Sequence, residues 1–258
     1  MNIINGESNE INNQIESQNI DKLKNTIHDD LIKIRKDYEK NIVDPLNIYN
    51  LNNHLCELKL KKVKEIDINE LFSIGYLLFF RIVLIYEKLM RIMVLQIFRN
   101  CIKIKPIFTN KIIDAMIPII ICEIFENENN SLFEDRYECM KLFLTWLELS
   151  NSNFPIIFPQ AVVSIYNYDD QFKIGCIEFL RIMSIIRPDL CSTVGGFKIL
   201  IHSLLEENIS QDLINKILYT LIYLLNNPNK RKYLKLRDFD ILFQFSQKVI
   251  FLLVQQIT

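Results

Sequence analysis

The chain has 258 residues, half of them hydrophobic, and a formal net charge of −1. This length supports one or two domains or one continuous repeat array with a large core, and the near-neutral charge excludes a whole-molecule nucleic-acid binder, which needs a clear basic excess. Five glycines and seven prolines are too few for sheets joined by many tight turns or for glycine-rich phosphate loops, and they favour long helices.

Residues 1–19 contain six Asn and no apolar periodicity. That is the composition of a disordered segment, and it lacks the apolar core of a signal peptide. Residues 20–66 read as N-terminal helices. Ile20, Leu23, Ile27, Leu31, Ile34, Tyr38 and Ile42 recur at steps of three and four, which line one helix face. Asp44-Pro45 ends this helix, because the residue before proline avoids the helical region. Its role is open between a coiled-coil arm for a partner and a helix that packs back; a stretch this short is marginal as an independent coil, which favours packing back. Residues 46–66 predict a short helix with a Lys-rich end at Lys59, Lys61, Lys62 and Lys64. The longest apolar run, Leu71 to Tyr86, is interrupted by Arg81. It falls short of the roughly 18 clean residues of a membrane span and reads as a buried core helix.

Residues 67–247 carry the repeat signal. Four segments, Lys88–Lys103, Tyr137–Leu149, Phe172–Arg187 and Leu213–Leu225, are apolar except along a narrow polar stripe. Such a stripe means a helix covered on more than two sides, as in a solenoid. Pro106, Pro155, Pro188 and Pro228 follow these helices, and their spacing averages about 41 residues, inside the armadillo/HEAT period of roughly 40–47. A second apolar stretch follows each proline, at 107–125, 156–167, 197–207 and 233–247. The expected fold is therefore all-α, an armadillo/HEAT-like α-solenoid of helical hairpin repeats. Pro118 is expected to kink or split the stretch it interrupts. Ser210, and Asp169 or Asp170, are suitable N-caps for the helices after them. An apolar tail, 248–258, closes the chain.

Six cysteines show no C-x-x-C pattern. Most sit in apolar helical runs, where free Cys acts as a small hydrophobe, and a reduced, cytoplasmic setting is expected. Three scattered histidines, at 28, 54 and 202, make a zinc site improbable on ligand spacing. No cofactor, metal or catalytic residue is expected. The adjacent carboxylates Asp29/Asp30, Glu134/Asp135 and Asp169/Asp170 point in different directions on a helix and make no acid–base dyad. Gly195-Gly196 admits a phosphate-binding reading but lacks the Lys-Ser/Thr of a phosphate loop, so a tight turn between helices is preferred. Trp146 falls on an apolar face and reads as core. Lys230, Arg231, Lys232, Lys235 and Arg237 form the densest basic cluster. It is either a solvated face or a contact for an acidic protein, RNA or phosphoinositide headgroups.

The stretch R-P-D-L-C-S-T-V-G-G-F-K-I-L (187–200), followed by L-Y-T-L-I-Y-L-L-N-N-P-N-K-R-K-Y-L (218–234), resembles the N-terminal domain of the Rictor/Pianissimo family, scaffold subunits of TOR complex 2. The matching positions are Pro188, Asp189, Gly195, Gly196, Leu225, Asn226, Pro228, Arg231 and Tyr233. Upstream, E-K-L-M-R-I-M-V-L-Q-I-F-R (87–99) and E-D-R-Y-E-C-M-K-L (134–142), with Arg136, resemble earlier repeats of that domain. The resemblance spans roughly residues 70–243. It implies a non-catalytic scaffold that contacts the TOR kinase assembly, with family links to AGC-kinase phosphorylation, actin organisation and, in amoebae, chemotaxis. Gly and Pro positions of the motif are expected to be structural landmarks. Family members are much longer, so a truncated paralogue or an incomplete gene model is expected. Two further readings stay open. One is an unrelated armadillo-type adaptor that binds a peptide in its groove; Asn ladders along the inner helices would support it, and only Asn215 and Asn226 qualify. The other is a membrane-surface module acting through 230–237, peripheral because no segment spans a bilayer.

Overall fold

The structure, a computed structural model, describes residues 4–40, 42–60, 72, 74–129, 131–150, 153–206, 209–234 and 243. Every regular element among them is helical. The chain divides into two compact units, residues 1–153 and 154–258.

The first unit holds α1 (Ile4–Glu39), α2 (Pro45–Leu60), α3 (Ile74–Tyr86) and, after a 3₁₀ turn at Lys88–Met90, α4 (Arg91–Ile104). It continues with α5 (Phe108–Asp114), α6 (Ile117–Glu126) and α7 (Phe133–Leu149). Helices α2, α4 and α7 lie side by side in one row; α1, α3 and α6 form a second row, each packed on its partner in the first. Two rows of neighbouring hairpins are the layering of armadillo and HEAT repeats, in which each repeat buries its apolar face on the next.

Proline and glycine chemistry sets the punctuation. Pro45 opens α2, where its missing N–H costs nothing, and Asp44 Oδ1 accepts the Leu46 N–H at 2.9 Å. Pro118 splits its stretch as expected: α5 ends at Asp114, Met116 takes a left-handed φ of 58°, and α6 restarts with the proline in its first turn. The first helix packs back on α2 and α3 through the buried Leu23, Ile27, Leu31 and Ile34.

A run of aromatic edges ties the rows together. Phe80 of α3 meets Phe98 of α4 at 5.9 Å and 90°, and Phe72 meets Phe108 of α5 at 5.4 Å. Phe125 of α6 meets Phe143 of α7 at 5.3 Å. Each such pair adds about 0.5–1.5 kcal/mol beyond the area it buries. Trp146 is fully buried in this unit.

The second unit comprises α8 (Ile157–Tyr168), α9 (Lys173–Ile186), α10 (Pro188–Thr193), α11 (Gly196–Ser203), α12 (Gln211–Asn226) and α13 (Pro228–Arg231). Its hub is α9, against which α8, α10, α11 and α12 all pack. Phe154, Phe158 and Phe179 form its aromatic centre, with centroids 5.5 and 6.1 Å apart.

Four expectations change. Helix α1 starts at Ile4, inside the stretch 1–19 whose composition suggests disorder. Once a helix is nucleated by its packed half, each further residue adds a hydrogen bond at low entropic cost, so a polar extension propagates. The repeat region expected as one stretch over 67–247 is divided at Asn153, and the first unit takes in the N-terminal helices. Asp169 and Asp170 do not cap α9, which starts after Phe172; Asp169 instead receives the Gln171 N–H at 2.9 Å in a turn that closes the preceding helix. Ser210 does cap α12, its Oγ accepting the Leu213 N–H at 3.3 Å. Finally, the polar stripes are only partly wet: Arg91, Glu138, Thr145, Ser184 and Thr220 are buried. The expected fourth second-stretch, 233–247, lies outside the described residues apart from Tyr233, Leu234 and Phe243, and the tail 248–258 lies wholly outside them.

Candidate protein-interaction surfaces

Polar residues, with Asn52, Asn100 and Glu138 buried among them, join one helix to the next. In the first unit, Asn52 of α2 donates to Gln96 of α4 at 2.9 Å, and Asn100 of α4 donates back to Asn52 at 3.1 Å. Lys59 Nζ reaches Asn100 Oδ1 at 3.4 Å. One helix further, Arg99 of α4 pairs with Glu138 of α7 at 3.2 Å, and Lys141 pairs with the same carboxylate at 2.8 Å. In the second unit Lys216 of α12 approaches Glu178 of α9 at 3.8 Å. The first unit's rungs fix the lateral register of its row-one helices, because an unmet buried amide or carboxylate costs more than the bond returns. An Asn ladder thus exists at Asn52 and Asn100, but its amides satisfy each other. Asn215 and Asn226 are exposed on α12.

Arg91 and Arg136 perform a second recurring task. Each lies in the first turn of a row-one helix, where a cation opposes the helix dipole. Their side chains turn back instead. Arg91 donates to Leu84 O at 2.7 Å and Ile85 O at 3.2 Å, at the C-terminal end of α3. Arg136 donates to Phe125 O at 2.8 Å, at the end of α6. Each guanidinium caps the orphan carbonyls of the preceding row-two helix and locks the hairpin. Asp135, fully buried, accepts the Leu132 N–H at 3.2 Å and lies 3.9 Å from Arg91. Burial pushes its carboxyl above the usual range, against the opposing pull of the Leu132 N–H and Arg91.

Several of the remaining motif positions make local contacts in the second unit. Arg187 holds Asp189 in a two-pronged pair at 3.0 and 2.7 Å, which pulls the carboxyl below its ordinary range and raises the guanidinium. Pro188 opens α10 and is buried. Gly195 takes a φ of 79°, open to glycine at little cost. Gly196 is required for a different reason: a Cβ there would lie 2.8 Å from Cys191 Sγ and 3.1 Å from Leu180 Cδ2. The pair is the turn that seats α11 on α9 and α10. Asn226, Pro228 and Arg231 are exposed around α13, and Tyr233 is half-buried.

The basic cluster is divided by the fold. Lys230 donates to Ile185 O at the end of α9 and stands 5.0 Å above the Tyr223 ring. Arg231 and Lys232 are exposed, Lys232 lying 5.1 Å over Tyr233. Lys235 and Arg237 lie outside the described residues, as do Lys61, Lys62 and Lys64 of the earlier Lys-rich stretch.

Among the described residues no group of three or more His, Cys, Asp or Glu could hold a metal ion. Cys101 and Cys139 are buried, and burial raises both thiols well above their ordinary range. No helix of the described residues is long and apolar enough to cross a membrane.

The family model for the N-terminal region of the rapamycin-insensitive companion of mTOR matches residues 52–248, roughly three quarters of the chain. The protein belongs to this family. Its matched region starts within α2 and takes in Arg91, Arg136, Gly195-Gly196 and Pro228. Protein pianissimo A of Dictyostelium discoideum is 28% identical over 126 residues, 48% of this chain. That match spans 11% of pianissimo A's own length. Of the Rictor-family positions read from the sequence, Arg136 bonds the end of α6, and Gly195 and Gly196 form the turn before α11. Sequence reasoning missed the rung residues and the role of Arg91. The available signal was an arginine in the first turn of two apolar helices, a placement that makes sense only if its charge is used elsewhere.

Proposed function

We propose that this Rictor-family chain is a non-catalytic scaffold that binds protein partners of the TOR complex 2 assembly. The observation that carries the reading is the family match over 52–248, whose first part falls on the stacked row-one and row-two helices of the first unit. In such a stack the hydrogen-bonding and ionic groups between helices are spent on holding neighbours. The outward faces then serve recognition, and binding is the function they support. Its role in AGC-kinase regulation, actin organisation and chemotactic signalling follows from that placement, and so does a cytoplasmic location. The test is affinity capture of the tagged full chain from its own cells, with mass spectrometry. Co-purification of the TOR kinase and at least one further subunit of the same complex supports the reading; capture without either ends it.

A membrane-surface role has one supporting observation, the exposure of Arg231 and Lys232. Lys230 contributes less, since its ammonium already bonds Ile185 O. Co-sedimentation with anionic liposomes, lost in an R231E/K232E variant, would favour this reading over the scaffold.

A further inference from the structure

We propose that the row-one face of the first unit, centred on Lys59, Arg99 and Lys103, binds an extended acidic segment of a partner protein. The inference rests on the scaffold reading and adds the place and chemistry of one contact.

The face gathers cations from successive helices. Lys59 comes from the end of α2, Arg99 and Lys103 from the last turns of α4, and Lys141 from α7. Glu138 is shared between Arg99 and Lys141, which leaves that trio with a net positive charge. Lys59 bonds only the neutral amide oxygen of Asn100. Neither Lys59 nor Lys103 has a carboxylate within ion-pairing distance among the described residues. Lys103 is exposed. Its ammonium is nevertheless held below the usual range, by burial first and then by the Arg99 and Lys59 charges, with Glu148 the opposing carboxylate. Lys59 and Lys103, set beside Arg99 with no carboxylate of the described residues in ion-pairing distance, are the cations that lack an anionic partner there.

The occupant follows from this chemistry. Row-one helices stand about 8–10 Å apart, so a path from α2 across α4 to α7 is about 20 Å long, which an extended segment of about six residues covers at roughly 3.3 Å per residue. Carboxylates along such a segment would meet Lys59, Lys103 and Arg99 in turn. The buried Asn52–Asn100 rung and the Arg99–Glu138 pair hold the floor in place, so little side-chain ordering remains on binding.

The experiment uses the full chain and a fluorescein-labelled peptide of about six Asp and Glu residues, the span derived above, read by fluorescence anisotropy. Wild type and an R231E/K232E control are expected to bind alike, while K59E/K103E weakens binding by about tenfold or more at low salt. Unaltered helical spectrum and melting point of K59E/K103E establish that it folds; should it not fold, K103Q alone, at an exposed position, is expected to weaken binding by about threefold. Equal loss in both double variants would show that any basic patch suffices and would overturn the proposal. So would unchanged binding in K59E/K103E, or loss of phosphatidylserine-vesicle binding in K59E/K103E with no peptide binding in wild type. If TOR-kinase capture persists while peptide binding fails, the acidic-segment site falls and the scaffold reading stands.

Discussion

Gly196 presses against Cys191 and Leu180 more closely than any side chain allows. Gly196→Ala is therefore expected to cost about 1–3 kcal/mol, the usual range for overpacking. Gly195→Ala meets no atom and costs about 1–2 kcal/mol through its left-handed backbone alone. Urea unfolding distinguishes the two origins. Adding Cys191→Ala should recover part of the Gly196→Ala loss, because it removes the nearest atom, and none of the Gly195→Ala loss. Additivity in both pairs would contradict the assignment. Thiol chemistry gives a second check at this scale. Cys56 is half-buried whereas the other five cysteines are buried, and Cys101, Cys122 and Cys139 are further deactivated because burial raises their thiols. Labelling of the native chain should modify Cys56 first, as peptide mapping would show; prior labelling of Cys101 or Cys139 would mean that the row-one core opens.

Arginine fasteners act between elements. Arg136→Met keeps the length of the side chain and removes the bond to Phe125 O, so it should cost about 1–3 kcal/mol, the penalty of a stranded buried acceptor. Little loss on thermal unfolding would show that the guanidinium is not a fastener. Beside it, Asp135 gives the hairpin a pH dependence of defined sign. Its carboxyl is raised in the folded state, so the folded protein holds the proton more tightly than the unfolded chain. The resulting stabilisation is present at acid pH and declines as pH rises through the folded value. Asp135→Asn stays neutral throughout. Its melting point relative to wild type should therefore rise as pH climbs above the ordinary carboxylate range, and a falling difference would refute the sign. Much of this level was legible in the sequence. The prolines at 106, 118, 155, 188 and 228 mark real breaks, Ser210 is a real cap, and helices α4, α7, α9 and α12 lie where the narrow stripes put them. The destinations of the stripe residues were not legible. Whether Arg99 faces water or Glu138 depends on which helix lies beside it, and Glu138 is 39 positions further along the chain. Asp169 misled for a related reason: a turn and a cap use the same side-chain geometry.

Over the whole molecule, the first unit repeats a hairpin plan: a row-one helix carrying polar rungs, a row-two helix behind it, and a cation folded over the break. Its stability comes from neighbour-to-neighbour burial, so removing a rung should loosen one joint and leave the others intact. Hydrogen exchange on Arg99→Met should show faster exchange confined to α4 and α7; uniform acceleration through both units would instead indicate one indivisible core. Under the proposed scaffold reading, that plan serves as a binding platform. Measured directly, purified full chain should bind purified, immobilised TOR complex 2 saturably, with a dissociation constant in the micromolar range or tighter, about −8 kcal/mol or better. A chain that melts cooperatively as a helical protein yet shows no saturable binding up to about 100 μM, some −5.5 kcal/mol on the same scale, would contradict the scaffold assignment.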